Sequence, residues 1–220
     1  MSIFRSLMMA NASEVPSTYR RVEFLRSDGS AYINTGIVVP EEGLQFDLEY
    51  QNIEIASDKT CFGSRWQSAP YIGFLGTYFV RGEMRNGVIG ATSVDFTTQI
   101  VGEKVKGYLS LYKNGDSYFA QGVFNGVIST TDPLSVSYIQ PGNHPVFLFA
   151  SNDRGSAVKI TSVTNIYRFA VRNHGGYKIA DCIPCVRESD GVPGMWDKVR
   201  RTFYTNAAAK GSFVYSDAEA

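Results

Sequence analysis

The stretch Tyr108-Leu109-Ser110-Leu111-Tyr112-Lys113-Asn114-Gly115-Asp116-Ser117-Tyr118-Phe119 decides the fold class of this chain. Two apolar-flanked arms surround the dipeptide Asn114-Gly115, and Asn and Gly tolerate the positive φ angles that a two-residue type I′ turn requires. The stretch therefore predicts an antiparallel β-hairpin. Asn86-Gly87 and Asn125-Gly126 are further hairpin signals of the same kind.

The rest of the chain repeats this alternation of short apolar runs and turn signals. From Val22 onward the runs are rich in Val, Ile, Tyr, Phe and Thr, and hardly any stretch has a helical period. We predict strands at 44–52, 59–63, 71–75, 88–91, 146–150 and 163–172. Because no internal repeat is visible, so many short strands indicate a two-sheet sandwich or a barrel rather than a propeller.

Two of these strands have the pattern of inner strands. Phe147-Leu148-Phe149-Ala150 is a continuous apolar run, which is typical of a strand covered on both faces. In the strand at 163–172, Ile166, Arg168, Ala170 and Arg172 alternate with Tyr167, Phe169 and Val171. Since successive side chains of a strand point to opposite faces, this alternation predicts two different faces.

Length and charge limit the possible classes of protein. The chain has 220 residues, of which 44% are hydrophobic, and is long enough for one sizeable core. It carries 21 lysines and arginines against 21 aspartates and glutamates, so no global field attracts a polyanion. Nucleic acid is therefore not an expected partner. No apolar run approaches the roughly eighteen residues of a membrane span, so no membrane is expected either.

Motifs near the two ends carry a resemblance to a known family. At the start, Tyr19 to Phe24 leads into Ser27-Asp28-Gly29 and Ala31-Tyr32-Ile33-Asn34-Thr35-Gly36-Ile37. At the end stand Cys182-Ile183-Pro184-Cys185, Ser189-Asp190-Gly191, Gly194-Met195-Trp196-Asp197, Phe203-Tyr204-Thr205-Asn206 and Gly211-Ser212-Phe213. Together the two ends resemble the concanavalin A-like (laminin G-like) jelly-roll modules of phage and prophage structural proteins. The resemblance covers about residues 19 to 215.

The resemblance implies a domain division. Residues 19–220 are expected to form an all-β, two-sheet antiparallel jelly-roll sandwich of the concanavalin A-like lectin/glucanase fold, and residues 1–18 a short N-terminal arm. In the arm, Ile3, Phe4, Leu7 and Met8 form one apolar face if the segment is helical, and such a face docks on a partner. The alternative is a frayed terminus. Related phage modules often carry such a leader, so its expected partner is another virion subunit.

The fold includes glycoside hydrolases, which place catalytic carboxylates on one strand face as Glu-x-Asp-x-Glu. The nearest match is Gln45-Phe46-Asp47-Leu48-Glu49. A retaining mechanism needs two carboxyl groups about 5 to 5.5 Å apart, one of them a nucleophile, and glutamine at the first position cannot form the glycosyl ester. We therefore expect no enzyme and no catalytic residues. Asp47 and Glu49 are expected on an outward polar face, with Phe46, Leu48 and Tyr50 in the core.

Cysteine, histidine and acidic loops are the remaining candidates for chemistry. Cys182 and Cys185 have the spacing of a redox pair or half a zinc site, but no second ligand pair is apparent, which favours buried structural thiols. His144 and His174 are expected in turns without a catalytic role. Asn152-Asp153 and Ser189-Asp190-Gly191 are expected to stabilise turns. No cofactor or metal is predicted, although calcium between such loops, as in some relatives, stays open as an alternative.

The expected ligand-binding residues are Arg65, Trp66 and Tyr71, at a predicted loop over 63–70. Sugars stack on aromatic rings while polar groups fix their hydroxyls, so this set suits a glycan. The alternative is that Trp66 belongs to the core or to a subunit interface. Trp196 is expected in the core.

The sequence thus predicts a non-enzymatic phage virion structural protein: a capsid decoration, head fibre or tail component, located on the virion. It is expected to contact other virion subunits, to adhere to host cell-surface polysaccharide, and to form a homo-oligomer, for which phage fibres suggest a trimer. The alternative is a lectin-like carbohydrate-binding module of a receptor-binding protein or of a bacterial adhesin, located on the cell surface or secreted.

Overall fold

The structure is a computed structural model that describes residues 15–40, 42–55, 57–68, 71–80, 83–88, 94–98, 101–115, 117–130 and 144–217. Within 65–98, 111–114, 117–120 and 127–130 it describes the backbone alone. The arm residues Ile3, Phe4, Leu7 and Met8 lie outside the described residues.

The described residues form strands and no helix. In chain order the strands are β1 (Tyr19–Ser27), β2 (Ile33–Asn34), β3 (Gln45–Asn52), β4 (Lys59–Ser68), β5 (Tyr71–Val80), β6 (Glu83–Val88), β7 (Val94–Thr98), β8 (Lys104–Asn114), β9 (Ser117–Phe124), β10 (Val127–Thr130), β11 (Phe147–Leu148), β12 (Ser151–Asp153), β13 (Ser156–Val158), β14 (Thr164–Arg172), β15 (Lys178–Arg187), β16 (Pro193–Asp197), β17 (Thr202–Tyr204) and β18 (Phe213–Asp217). Helices that could cross a membrane are therefore absent from the described part of the chain.

The strands form two sheets. The first has the order β10-β9-β8-β3-β14-β1-β15-β16-β17, and β18 pairs with β1 beside this path. The second has the order β13-β12-β4-β5-β6-β7, with β11 paired to both β2 and β4. Pairing is predominantly antiparallel, with β12 and β4 a parallel pair. The prediction of an all-β fold with two predominantly antiparallel sheets is confirmed.

The main core lies between the two sheets. The first sheet contributes Phe46 of β3 and Phe169 of β14, and the second contributes Phe62 of β4; all three are fully buried. Their ring centroids are 5.3 Å (Phe46 to Phe62), 5.5 Å (Phe62 to Phe169) and 6.1 Å (Phe46 to Phe169) apart. Each such ring stabilises the fold by about 1.5–3 kcal/mol through burial. Two apolar sheet faces joined in this way form a β-sandwich.

The hairpin predictions have three different outcomes. The hairpin of β8 and β9 is confirmed, but Asn114 pairs with Ser117, so the loop lies one residue later than predicted. At Asn125-Gly126 the φ angles are 49° and 80°, and Phe124 pairs with Val127, as a type I′ turn requires. The turn predicted at Asn86-Gly87 is wrong, because both residues lie inside β6 and pair with β5. The local dipeptide signal there is overridden by pairing with a neighbouring strand.

The predicted strands at 44–52 and 163–172 are confirmed as β3 and β14, whereas β4 and β5 extend beyond the predicted 59–63 and 71–75. Of 88–91, Val88 ends β6 and the other residues lie outside the described part. The apolar run at 146–150 is buried throughout, as predicted, but β11 contains only Phe147 and Leu148. Phe149 has φ of 66°, which ends the strand.

A β-bulge in β14 changes the predicted faces of that strand. The register against β3 shifts between Ile166 and Arg168. Ile166 therefore lies in the core together with Phe169 and Val171, although strict alternation places it with Arg168. A bulge adds one residue to one strand of a pair and so inverts the alternation on one side of itself. Arg168 and Arg172 remain on the outer face of the sheet.

The motifs from the two ends of the chain meet in space, in a contact that we call the terminal clasp (Asp28 with residues 30–31 and 211–212). Oδ1 of Asp28 accepts the backbone N–H groups of Ser30 (2.8 Å) and Ala31 (3.2 Å), and Oδ2 accepts the N–H of Ser212 (2.7 Å). The N–H of Asp28 donates to the carbonyl of Ser212 (3.1 Å). Slight burial acts to raise the pKa of Asp28, but these hydrogen bonds outweigh it and lower the pKa below its usual value.

Gly211 is the residue that permits this close approach. Its φ is 89°, and a Cβ placed there lies 2.7 Å from Ser30 Cβ and 2.8 Å from the backbone nitrogen of Ala31. We expect Gly211→Ala to lower the free energy of unfolding by at least about 1 kcal/mol more than a glycine-to-alanine change without such contacts, because backbone atoms must move. Urea denaturation followed by tryptophan fluorescence measures the loss.

Gly155→Ala is the matched control. Gly155 has a similar φ of 95°, but a Cβ there meets no atom within 4 Å. The difference between the two variants isolates the steric contact of the clasp from the backbone strain that both share. Equal losses in the two variants would contradict the proposed role of Gly211.

Candidate functional site

The outer face of the first sheet carries three rows of side chains, most of which are charged. One row crosses β8, β3 and β14 as Lys106, Glu49 and Arg168, which are paired in register. The next contains Asp47, Ala170 and Asp181, on β3, β14 and β15. The third contains Gln45, Arg172 and Lys178. Directly opposed residues of neighbouring strands share a face, so these side chains lie together.

These rows enclose a depression of about 90 Å³. Its lining, which we call the charged depression, is formed by residues 47–49 on β3, residues 106–107 on β8, Arg168 and Arg172 on β14 and Lys178 on β15. Leu48 has its side chain in the core and Gly107 has none, so these two residues contribute backbone. The remaining lining residues are four cations and two carboxylates.

Asp181 is the anchor of the cations at one side of the charged depression. Its side chain is only 5% exposed, and it accepts two hydrogen bonds from Arg168, at 2.9 Å from Nε and 2.7 Å from Nη2. Lys178 Nζ donates to Oδ2 at 2.8 Å, and Lys198 Nζ lies 3.4 Å from the same atom. Burial acts to raise the pKa of Asp181, but the hydrogen bonds from Arg168 and Lys178 outweigh it and lower the pKa to about 2.

Asp47 is held from two sides. Gln45 Nε2 donates to its Oδ1 at 2.5 Å, and Arg172 Nε donates to its Oδ2 at 2.7 Å. The predicted outward polar face of β3 is confirmed, since Phe46, Leu48 and Tyr50 are buried and the residues between them are partly exposed. Both carboxylate oxygens of Asp47 are thus engaged by neighbours on the same face, and the residue two positions before it is the amide Gln45 rather than a carboxyl.

The cysteines have the predicted character of buried structural thiols. Cys61, Cys182 and Cys185 are free and buried. Cys182 belongs to the main core and Cys185 to a smaller cluster on the outer face, because residues three apart in β15 point to opposite sides of the sheet. The two sulfur atoms therefore form neither a dithiol nor half of a metal site. Burial raises the pKa of all three thiols, that of Cys185 to about 11.

The smaller cluster covers another part of the same outer face. Val15, Ile183 and Cys185 are its buried members, and Tyr19, Trp196 and Phe203 pack against them. The Tyr19 ring lies 5.1 Å from that of Trp196 and 4.7 Å from that of Phe203. Trp196 is therefore partly buried outside the sandwich rather than within the main core, where it was predicted. Its register with Ile183 across β15 and β16 fixes it on the outer face.

The prediction that Asn152 and Asp190 stabilise turns is confirmed, although Asn152 and Asp153 lie in β12 rather than in a loop. Asn152 Oδ1 accepts the N–H of Gly155 at 2.7 Å, and Asn152 Nδ2 donates to the carbonyl of Pro145 at 2.8 Å. Asp190 Oδ1 accepts the N–H of Val192 at 3.2 Å, and Arg187 binds the same carboxylate. In the described ranges, no three His, Cys, Asp or Glu side chains are grouped to hold a metal ion. His174 is exposed in a turn, and His144 precedes β11.

The predicted ligand-binding loop is replaced by strands. Arg65 and Trp66 lie in β4, where they pair with Phe74 and Gly73 of β5, and Tyr71 pairs with Ser68. The prediction of a loop over 63–70 is therefore wrong, because β4 remains paired with β5 through Ser68. The side chains of Arg65, Trp66 and Tyr71 lie outside what the structure describes, so their role as a glycan site stays a prediction.

The charged depression itself was not predicted as a site. Its β3 residues were identified through the hydrolase-like motif and its β14 residues through the alternation of Arg168, Ala170 and Arg172. Lys106, Lys178 and Asp181 carried no local signal. They join the site only because β8, β3, β14 and β15 are neighbours in the sheet.

In comparisons with known proteins, no family model and no curated protein matches this chain.

The ion pairs of Asp181 make a pH-dependent contribution to stability. The folded pKa of about 2 lies below the unfolded value of about 3.9, so the contribution is complete above pH 5 and is lost as the pH falls from about 4 toward 2. We expect Asp181→Asn to lower the free energy of unfolding by about 2 kcal/mol at pH 7, with a smaller difference from wild type at pH 3. Urea denaturation at pH 7 and pH 3 measures both.

Asp190→Asn is the control for this prediction. Asp190 also accepts hydrogen bonds from an arginine, Arg187, but that pair is exposed to solvent. We expect a much smaller loss in this variant, because water screens exposed ion pairs. A loss in Asp181→Asn that is as small as that in Asp190→Asn, or one that does not change with pH, would refute the assignment.

Proposed function

We propose that this chain is a non-enzymatic structural module of a phage particle, with a concanavalin A-like jelly roll that binds rather than turns over its ligands. The observation that carries the proposal is the state of the β3 carboxylate at the hydrolase-like position. Asp47 is engaged by Gln45 and Arg172, and glutamine occupies the place of a nucleophile. A rigid polar face of this kind suits recognition rather than covalent catalysis.

The terminal clasp supports the family resemblance behind this proposal. The Ser27-Asp28-Gly29 motif and the Gly211-Ser212-Phe213 motif are in direct contact. Asn206, from the Phe203 to Asn206 motif, accepts the N–H of Tyr32 (3.3 Å) through Oδ1 and donates to the carbonyl of Gly211 (3.0 Å) through Nδ2. Motifs distant in the sequence thus form one local structure, as a shared fold requires.

The strand order supports a jelly roll over a simple meander. In the first sheet β14 lies between β3 and β1, and β1 also pairs with β15, although long stretches of chain separate the two strands of each of these pairs. Such an order requires connections that cross between the two sheets, which are typical of Greek-key and jelly-roll sandwiches.

Particle attachment is assigned to the N-terminal arm, with Ile3, Phe4, Leu7 and Met8 as its docking face and another virion subunit as its partner. The proposed location is the virion, as a capsid decoration, head fibre or tail component, and the proposed assembly is a homo-oligomer such as a trimer. The lectin-like alternative, a module of a receptor-binding protein or bacterial adhesin, is favoured by the charged depression, which is a concave polar surface on a sheet face.

Removal of residues 1–14 tests the attachment. Val15 is buried against Ile183 and Cys185, so a truncation that retains it should keep the melting temperature of the full chain. We expect this truncated protein to be folded but absent from purified particles of the phage that encodes it. Immunoblotting of sedimented particles measures incorporation. Normal incorporation of the truncated protein would remove the arm from the proposal.

A double substitution tests the proposed docking face without changing the length of the arm. Phe4→Asp combined with Leu7→Asp should abolish incorporation, because it places charges on the proposed apolar face. Ser6→Asp is the control within the same segment and should incorporate normally. Loss in both variants to the same extent would indicate that charge anywhere in the arm is sufficient.

The absence of turnover has its own test. We expect no new reducing ends when the protein is incubated with bacterial surface polysaccharides, because Asp47 is held by ion pairing and has no carboxyl partner at position 45. Reducing-sugar assays on wild type and on Asp47→Asn measure this. Release of sugar by the wild type that disappears in Asp47→Asn would establish a hydrolase and overturn the non-enzymatic proposal.

A further inference from the structure

We propose that the charged depression binds the carboxylate group of an acidic saccharide of the uronic acid class. This inference rests on the proposed function as a non-enzymatic, glycan-adhering module and names the ligand class and the site. The assigned binding residues are Lys106, Arg168, Arg172 and Lys178, which supply positive charge, and Asp47 and Glu49, which supply hydrogen-bond acceptors.

Charge is the first reason. The lining carries four cationic and two anionic side chains, a surplus of two positive charges. Adding the adjacent ion pair of Asp181 and Lys198 leaves this surplus unchanged. Since the whole chain has a formal net charge of zero, the surplus is a local property of this face. A local field over a concave surface favours an anion there without making the protein a general binder of polyanions.

Preorganisation is the second reason. Arg168 and Lys178 are tied to the nearly buried carboxylate of Asp181, and Arg172 is tied to Asp47. The backbone N–H of Asp181 in turn donates to Oδ1 of the fully buried Asp197 at 3.0 Å, which fixes β15 beneath the cations. Cations held in place before binding lose less conformational freedom when an anion arrives.

Size and the neighbouring side chains select the ligand. A depression of about 90 Å³ accommodates a carboxylate group, whereas a sugar ring must rest on the surface around it. That surface carries hydrogen-bonding groups without charge: Tyr108 donates through its hydroxyl to Gln121 Oε1 at 3.0 Å, and Gln45 lies beside Asp47. Such phenol and amide groups, together with Glu49, are partners for sugar hydroxyls.

Hydrogen-bonding groups, rather than net charge, distinguish an acidic saccharide from phosphate at this site. A phosphate monoester carries about −1.5 to −2 charges at neutral pH, and the local surplus of two positive charges would compensate it as well as it compensates a carboxylate. The carboxylates of Asp47 and Glu49, however, can only accept hydrogen bonds. A saccharide presents several hydroxyl donors to them, whereas a phosphate monoester presents at most one.

Isothermal titration calorimetry with oligogalacturonate tests the inference, with the carboxyl-reduced form of the same oligosaccharide and inorganic phosphate as comparison ligands. We expect binding of oligogalacturonate that weakens at least about tenfold from 50 to 500 mM NaCl. No binding of the carboxyl-reduced form is expected, and no competition by phosphate at equal concentration. Absence of oligogalacturonate binding, equal binding of the reduced form, or effective competition by phosphate would each overturn the inference.

Two lysines on one strand provide a matched pair of variants. Lys106 and Lys104 are both exposed and lie on the same face of β8, but only Lys106 lines the depression. Lys104 instead donates to Glu23 and lies over the ring of Tyr167. We expect Lys106→Gln to weaken oligogalacturonate binding about tenfold, and Lys104→Gln to leave it within about twofold. Equal effects of the two variants would indicate nonspecific electrostatics and overturn the site assignment.

The result of the calorimetry does not depend on whether the chain attaches to a particle. Incorporation of the truncated chain tests the virion role, whereas the calorimetry tests only this face of the sheet. Binding of oligogalacturonate without arm-dependent incorporation supports the acidic-saccharide site in a lectin-like module. Arm-dependent incorporation without binding of oligogalacturonate overturns the acidic-saccharide inference and leaves the structural role intact.

Discussion

Contact among Phe46, Phe62 and Phe169 joins the two sheets, and the arrangement of the other residues follows from it. Phe46 and Phe169 belong to neighbouring strands of the first sheet, and Phe62 comes from the second. Because side chains alternate along a strand, burying these rings commits Asp47, Glu49, Arg168 and Arg172 to the outer face. The charged depression is therefore a geometric consequence of the core.

The outer face carries ion pairs, but two positive charges of the depression's lining remain uncompensated. Asp181 holds cations from β14 and β15, and Asp47 holds Arg172. These contacts keep charged side chains in fixed positions on a concave surface while leaving a local excess of positive charge. The same contacts engage both carboxylate oxygens of Asp47 with neighbouring donors.

Closure of the domain depends on residues from both ends of the chain. Asp28 binds the backbone of Ser212, and Gly211 provides the space for that approach. Val15 then packs on the outer face beside Ile183 and Cys185. Val15, the first described residue, thus lies on the same side of the first sheet as the charged depression.

The sequence by itself determined the class of fold, the position of β3 and β14, the buried nature of the thiols and the polar face of β3. These features follow from a period of two and from local turn chemistry, which neighbouring residues encode. It could not give the bulge that returns Ile166 to the core, the strand position of Asn86-Gly87, or the outer-face location of Trp196. Tertiary structure alone decided which strands distant in the chain are neighbours, and so brought Lys106 and Lys178 to Asp47. Register between strands distant in the chain arises from packing of the whole sandwich, and no local pattern records it.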